Sequence, residues 1–178
     1  MYKKNVVFIG MPGSGKSTLG VLLAKHLGMA FLDTDLIIQQ QEERRLQEII
    51  DDEGVAKFLR IEAAIIQRLE VTATVIATGG SAIYSTSAIG NLRKNGILVY
   101  LQLPYETIEQ RIQNMASRGI ALEEGQQLLD LYNERVPLYE AAADLIVACD
   151  GFTVDELVIK ISGLLEQSFG EEKPEEIP

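Results

Sequence analysis

Cysteine and histidine are scarce in this sequence, and their scarcity excludes several kinds of site. Cys149 is the only cysteine and His26 the only histidine among 178 residues. A single cysteine excludes an intramolecular disulfide and cannot by itself form a cysteine metal site, so we expect Cys149 to be a buried apolar thiol. His26 lies near the end of a predicted helix, where a histidine more often interacts with backbone carbonyls than takes part in chemistry.

Positive charge is also in short supply. The chain has 16 Lys and Arg residues against 26 Asp and Glu, which gives a formal net charge of -10. Because binding to phosphate backbones and anionic membranes uses an excess of basic residues, we expect no general nucleic-acid or membrane partner. The sequence has no apolar run long enough to span a bilayer, and its start, MYKKNVVFIG, shows no signal-peptide cleavage pattern. We expect a cytoplasmic protein that works as a monomer.

The apolar residues that are present predict an α/β fold. Short β-rich runs that do not alternate in polarity are typical of a sheet buried on both faces; they are 5–10, 30–33, 73–78, 96–102 and 144–147. Helical patterns lie between them, at 16–27, 36–50, 55–70, 86–94, 105–115, 124–141 and 153–167. This alternation predicts a five-stranded parallel sheet with helices on both faces, a three-layer sandwich. We expect one domain over 1–168, followed by a disordered acidic tail over 169–178.

The strongest chemical motif is GMPGSGKST, which begins at Gly10 and matches G-x-x-x-x-G-K-[ST]. It follows the strand VVFI and precedes a helix, so backbone N–H groups and the helix N-terminus can face an anion. The motif predicts a P-loop NTPase fold and a nucleoside triphosphate site. Lys16 would reach the β- and γ-phosphates, and the Ser17 hydroxyl would bind Mg²⁺. The predicted ATP-binding residues of the loop are Gly13, Ser14, Gly15, Lys16, Ser17 and Thr18.

Two carboxylates follow the second predicted strand in the segment FLDTD, residues 31–35. Ligands of parallel sheets bind at the carboxyl ends of the strands, so Asp33 and Asp35 should emerge beside the P-loop. One carboxylate can then face the Mg²⁺ shell while the other faces an acceptor hydroxyl. The alternative interpretation is that the pair caps the next helix.

Two weaker signals complete the set. Gly79 and Gly80, at the end of the third predicted strand, allow a ligand to approach the backbone closely, although a plain tight turn would use the same residues. Arg118 lies between two predicted helices, where an arginine on a lid could stabilise transferring charge. Taken alone, Arg118 would be interpreted as a solvated surface residue.

Together these segments resemble the shikimate kinase family, small P-loop kinases that transfer the γ-phosphoryl group of ATP to shikimate and form shikimate 3-phosphate. The resemblance covers about residues 4–165 and is carried by GMPGSGKST, FLDTD, EGVAKFLRIE, VIATGG, YLQLPYETIEQR, SRG and RVPLYEAAAD. It implies an acceptor-binding region at about 34–62 and a lid at about 112–125.

The resemblance also implies roles for single residues. Asp33 would assist Mg²⁺ through water, and Asp35 would orient the acceptor hydroxyl and take its proton. Gly79 and Gly80 would contact the substrate through their backbone, and Arg135 would bind the substrate carboxylate. Two further arginines would act on ATP: Arg118 as the lid arginine and Arg111 by packing on adenine. The catalytic residues would be Lys16, Asp35 and Arg118.

The chain departs from the family pattern where the acceptor would bind. The family motif F-R-x-x-E aligns with Phe58 and Glu62, but Leu59 occupies the position of the arginine that clamps the substrate carboxylate. Arg60 lies one residue after the position of the family arginine. On a helix one residue is a rotation of about 100°, so we expect Arg60 to face away from the site. Ser81 and Gly119 stand where the family usually has glycine and proline.

These departures leave the acceptor open at the level of sequence. Shikimate is the leading candidate, and another small hydroxy acid, such as zwitterionic homoserine, is the alternative within the same class. A non-catalytic ATP-binding regulator is the alternative of another class. The intact Lys16, Ser17 and Asp33 favour an enzyme.

Overall fold

The computed structural model describes residues 3–113, 120–121 and 125–170. Five strands form one sheet in the order β2-β3-β1-β4-β5, and all neighbouring strands are parallel. The strands are β1 (Asn5–Ile9), β2 (Ala30–Asp33), β3 (Thr74–Ala77), β4 (Gly96–Gln102) and β5 (Leu145–Ala148). The predicted α/β class and the five-stranded parallel sheet are therefore confirmed, and each strand boundary lies within one residue of its prediction.

The described residues also form eight α-helices and a short 3-10 helix. The α-helices are α1 (Lys16–Leu27), α2 (Thr34–Glu42), α3 (Leu46–Glu53), α4 (Val55–Gln67), α5 (Thr86–Lys94), α6 (Tyr105–Gln113), α7 (Leu128–Ala142) and α8 (Val154–Gly170), and the 3-10 helix is Gly80–Tyr84. No helix of the described segments is long and apolar enough to cross a membrane.

The central strands are the best buried part of the sheet. All five residues of β1 are buried, as are all four of β3, because helices cover both faces. Close packing of one covering helix depends on Gly20 in α1, where a Cβ would lie 2.6 Å from the Phe31 ring of β2. Helices α2, α3 and α4 have a separate apolar cluster around Ile38, Ile49 and Phe58. This second cluster holds together the three helices that contain the predicted acceptor-binding region.

One predicted helix is wrong. We expected a continuous helix over 36–50, whereas α2 ends at Glu42 and α3 begins at Leu46. Glu43 adopts a left-handed conformation with φ of 54°, which ends α2. The Arg45 N–H then donates to Glu48 Oε2 at 2.8 Å, which caps the start of α3.

The C-terminal helix extends further than predicted. Helix α8 continues to Gly170, two residues into the segment 169–178 that we expected to be a tail. Residues 171–178 lie outside the described residues. Of the predicted lid, the structure describes only 112–113, 120–121 and 125.

Candidate active site

A cavity of about 390 Å³ lies at the carboxyl ends of β1, β2 and β3. One wall is the P-loop and the start of α1, formed by Pro12, Gly13, Gly15, Lys16 and Ser17. The rest comes from β2, α2 to α4, the turn after β3, the segment 120–121 and α7, with the polar residues Asp33, Asp35, Gln39, Arg45, Gln47, Glu62, Thr78, Ser81 and Arg135. The cavity therefore joins the predicted phosphate site to the predicted acceptor site.

The P-loop has the backbone shape that its glycines predict. Gly13 and Gly15 have φ values of 80° and 94°, in the left-handed backbone region that residues with a Cβ rarely adopt. Ser14 is buried in the loop, and its N–H donates to Met11 O at 3.1 Å. Thr18 lies in the first turn of α1 and is exposed. The loop thus curls directly into the N-terminus of α1, as an anion-binding loop does.

Lys16 is held inside the loop. Its Nζ donates to Gly10 O at 2.7 Å and to Met11 O at 2.8 Å, and the side chain is buried. Burial lowers the pKa of Lys16 to about 8, although the nearby Asp35 carboxylate opposes this effect. The ammonium group therefore has only partial compensation for its lost hydration, and a bound phosphate would supply the missing negative charge.

Asp33 and Asp35 both line the cavity, as predicted. Asp33 Oδ1 accepts a hydrogen bond from the Asp35 N–H at 3.0 Å, so Asp33 is also the N-cap of α2. The two interpretations of the FLDTD segment are thus compatible, because the carboxylate that caps α2 also faces the cavity.

Gly79 and Gly80 form a second wall of the cavity, the glycine wall, which adjoins Pro12 of the P-loop. A Cβ on Gly79 would overlap Glu62 Oε1 and would lie 2.8 Å from Asp35 Oδ1. A Cβ on Gly80 would lie 2.9 Å from Pro12 and 3.0 Å from Arg135 Nη1. Any larger residue would therefore push aside the charged side chains that line the cavity.

Arg135 lies in α7 and is almost completely buried, with 1% of its surface exposed. Its Nε donates to Tyr84 Oη at 3.1 Å, and its Nη2 donates to Ala121 O at 3.3 Å. One turn further along α7, the Tyr139 hydroxyl donates to Gly80 O at 2.6 Å, which ties the helix to the glycine wall. These contacts fix the guanidinium and engage its Nε and Nη2.

Glu62 is a buried carboxyl group in the same cavity. Its Oε1 has no hydrogen-bond partner within the described segments. Burial raises the pKa of Glu62 to about 7, a hydrogen bond with Ser81 lowers it, and the Asp35 carboxylate raises it. The positive charge of Arg135 also lowers the pKa of Glu62, but from a distance, because the two side chains form no ion pair. A buried carboxyl and a buried guanidinium thus face one cavity without touching each other.

The remaining predicted residues lie around this centre. Arg111 in α6 donates from Nη1 to Gly13 O at 3.2 Å, on the outer side of the P-loop. Arg60 is exposed and does not line the cavity, as expected, while Leu59 is half-buried against the apolar cluster of α2 to α4. Arg118 and Gly119 lie outside the described residues.

The structure adds two charged residues to which the sequence interpretation gave no role. Glu62 had a usable signal, because it is the acidic residue of the F-x-x-x-E pattern. Arg45 had none, since the helix predicted over 36–50 contains it together with Arg44. Its position at the cavity depends on the break between α2 and α3.

Comparison with known proteins agrees with this geometry. A family model described as "Shikimate kinase" matches residues 12–166. The chain is 34% identical over 172 residues to a shikimate kinase of Thiobacillus denitrificans, which covers 94% of this chain and 90% of that one. It is 36% identical to a shikimate kinase of Histophilus somni, over 92% of this chain and 96% of the relative.

Solved structures give the same result. A shikimate kinase from Acinetobacter baumannii in complex with shikimate superposes with a TM-score of 0.86 at 32% identity, covering 96% of both chains. Shikimate kinase from Aquifex aeolicus has a TM-score of 0.79 at 28% identity and covers 93% of this chain and 98% of its own. With a P-loop facing Asp35 and Arg135 across one cavity, and with these relatives along nearly its whole length, the chain belongs to the shikimate kinase family.

Proposed function

We propose that the protein transfers the γ-phosphoryl group of ATP to the 3-hydroxyl of shikimate. The observation that carries this proposal is the single cavity in which the P-loop faces Asp35 and a buried Arg135. A phosphoryl donor and a small carboxylate-bearing acceptor can meet in this cavity. The relatives are named shikimate kinases, and one of the solved structures is a complex with shikimate, which supports shikimate as the acceptor.

ATP would bind with its phosphates on the P-loop. Lys16 would exchange its carbonyl partners, Gly10 and Met11, for β- and γ-phosphate oxygens, and backbone N–H groups of residues 13–18 would complete the cradle. Arg111 lies on the outer side of the loop, where its guanidinium could pack on the adenine ring. Arg118 remains our proposed lid arginine.

The acceptor would lie in the cavity beside the glycine wall, next to Asp35 and Arg135. Arg135 Nη1 would donate to its carboxylate, and the backbone of Gly79 and Gly80 would define its position. Asp35 would accept the proton of the reacting hydroxyl as that oxygen attacks the γ-phosphorus and the bond to the β-phosphate breaks. The products are ADP and the phosphate ester.

The donor set near the P-loop suits Mg²⁺. The Ser17 hydroxyl and the Asp33 carboxylate line the same wall of the cavity, and both offer the hard oxygen atoms that Mg²⁺ prefers. Ser17 would hold the ion directly and Asp33 through water. The ion would neutralise charge on the β- and γ-phosphates.

A coupled ADP-release assay tests the proposal. Purified protein with Mg²⁺ and ATP is offered shikimate, homoserine, other small hydroxy acids and nucleoside monophosphates. We expect ADP release that depends on shikimate and is lost in Lys16→Ala. ADP release with homoserine but not with millimolar shikimate would refute shikimate as the acceptor, and no release with any acceptor would favour a non-catalytic regulator.

A further inference from the structure

The carboxylate of the proposed acceptor has little fixed positive charge to bind. Arg135 already uses Nε and Nη2 in hydrogen bonds to Tyr84 and Ala121, which leaves Nη1 for a ligand. Position 59, on α4, carries leucine, and this side chain packs against apolar neighbours. A single guanidinium nitrogen is a weak anchor for a carboxylate, because strong recognition by arginine uses two parallel hydrogen bonds.

A second arginine lines the cavity from another element. Arg45 directly precedes α3, and its backbone is fixed there: its N–H donates to Glu48 Oε2 at 2.8 Å, and its carbonyl accepts from the Ile49 N–H at 3.1 Å. Its side chain is exposed at the mouth of the cavity. Within the described residues, its guanidinium makes no hydrogen bond and no ion pair. Arg45 therefore has a fixed backbone and, as far as the described residues go, an unpaired guanidinium.

The neighbouring arginine, Arg44, does not share this freedom. Arg44 forms ion pairs with Glu42, Asp52 and Glu53, and those carboxylates hold its guanidinium on the surface. The left-handed Glu43 and the cap of α3 turn the chain between the two helices, so that adjacent arginines have different surroundings. Arg44 is paired with carboxylates, whereas Arg45 has no carboxylate partner in the part of the chain that the structure describes.

We propose that Arg45 is the second carboxylate-binding residue of the acceptor site. Its guanidinium would close on the acceptor carboxylate from the start of α3 while Arg135 holds it from α7. Arg45, directly before α3, would thus supply the positive charge that α4 lacks at Leu59. This inference rests on the proposed function, since it concerns the binding of shikimate in the same cavity.

Binding measured by titration calorimetry tests the inference, with shikimate and its uncharged methyl ester as the two ligands. Arg45→Ala should weaken the binding of shikimate by about tenfold or more, the lower end of the range for a lost charge-assisted hydrogen bond, because the side chain is exposed. Binding of the ester should change by less than about threefold. Arg45→Lys should retain only part of the affinity, because lysine keeps the charge but loses the fork of donors.

Arg44→Ala is the matched control, since it removes the same charge one residue away. It should leave the affinity for shikimate within about threefold of wild type, because ion pairs already hold Arg44 away from the ligand. Leu59→Arg should recover much of the affinity lost in Arg45→Ala, while adding little to the wild-type protein.

The outcomes separate the two proposals. If wild type binds shikimate and Arg45→Ala binds it equally well, or if acid and ester lose affinity in parallel, the role of Arg45 is wrong and the proposed function stands. If wild type itself does not bind shikimate under conditions where it binds ATP, the proposed function is wrong, and this inference is wrong with it.

Discussion

Replacing Glu62 with glutamine is expected to remove a pH-dependent loss of stability from the ligand-free protein. Burial raises the pKa of Glu62 from 4.5 to about 7 in the folded state. Between these values the folded protein holds a proton that the unfolded chain has already released. The contribution of Glu62 to the free energy of unfolding must therefore fall as the pH rises through this window, and this contribution becomes constant above about pH 8.

The size of the effect follows from the same values. Each pKa unit of difference corresponds to about 1.4 kcal/mol, so the full difference corresponds to about 3 kcal/mol. Water can enter the open cavity and solvate the carboxylate, so we expect about 2 kcal/mol in practice. Glu62→Gln has no proton to release, and at pH 8 it should be more stable than wild type by about this amount.

Urea unfolding followed by circular dichroism at pH 5, 6, 7 and 8 measures this difference directly. The free energy of unfolding of Glu62→Gln minus that of wild type should rise across the series. Glu70→Gln, which changes an exposed carboxylate, should give a flat difference. If wild type and Glu62→Gln keep a constant difference from pH 5 to pH 8, Glu62 is not a destabilised buried acid.

Three further predictions concern the P-loop and the glycine wall. Lys16→Ala should lower kcat by a factor of about a hundred or more, because it removes the charge that faces the phosphates; turnover within about threefold of wild type would refute this role. The affinity for ATP should fall by about tenfold per pH unit above the Lys16 pKa of about 8, because the neutral amine binds phosphate poorly, and calorimetry should show no such fall in Lys16→Arg. Gly79→Ala should lower kcat/KM by about tenfold or more, because its Cβ would displace Glu62 and Asp35, whereas Gly90→Ala, whose Cβ meets no atom within 4 Å, should have wild-type kinetics.

The sequence predicted the sheet well because its signals there are local and strong. The runs at β1, β3 and β4 are continuous and apolar, and a strand buried on both faces has that pattern. The break between α2 and α3 could not be predicted in the same way. Glu43 carries a Cβ in a left-handed conformation, which its residue type does not favour.

The residues of the site also differ in how well the sequence predicted them. The P-loop, Asp33, Asp35 and the glycine pair lie next to strand ends, so the rule for parallel sheets brings them to one cavity. Arg135 lies on α7, far along the chain, and only the family resemblance indicated its role. Arg45 reaches the cavity through the unpredicted break, and the buried state of Glu62 depends on how α4 packs against Gly79.

Identification of the phosphorylated product is the most direct test of the proposed activity. Purified protein is incubated with Mg²⁺, ATP and shikimate, and the products are followed by ³¹P nuclear magnetic resonance. We predict one new phosphate-ester signal, formed in equal amount to ADP and coupled to the proton on carbon 3 of shikimate, and no such signal with Lys16→Ala. ATP that remains unchanged in the presence of shikimate, or an ester that forms only with a different hydroxy acid, would contradict the assignment of this cavity as a shikimate phosphorylation site.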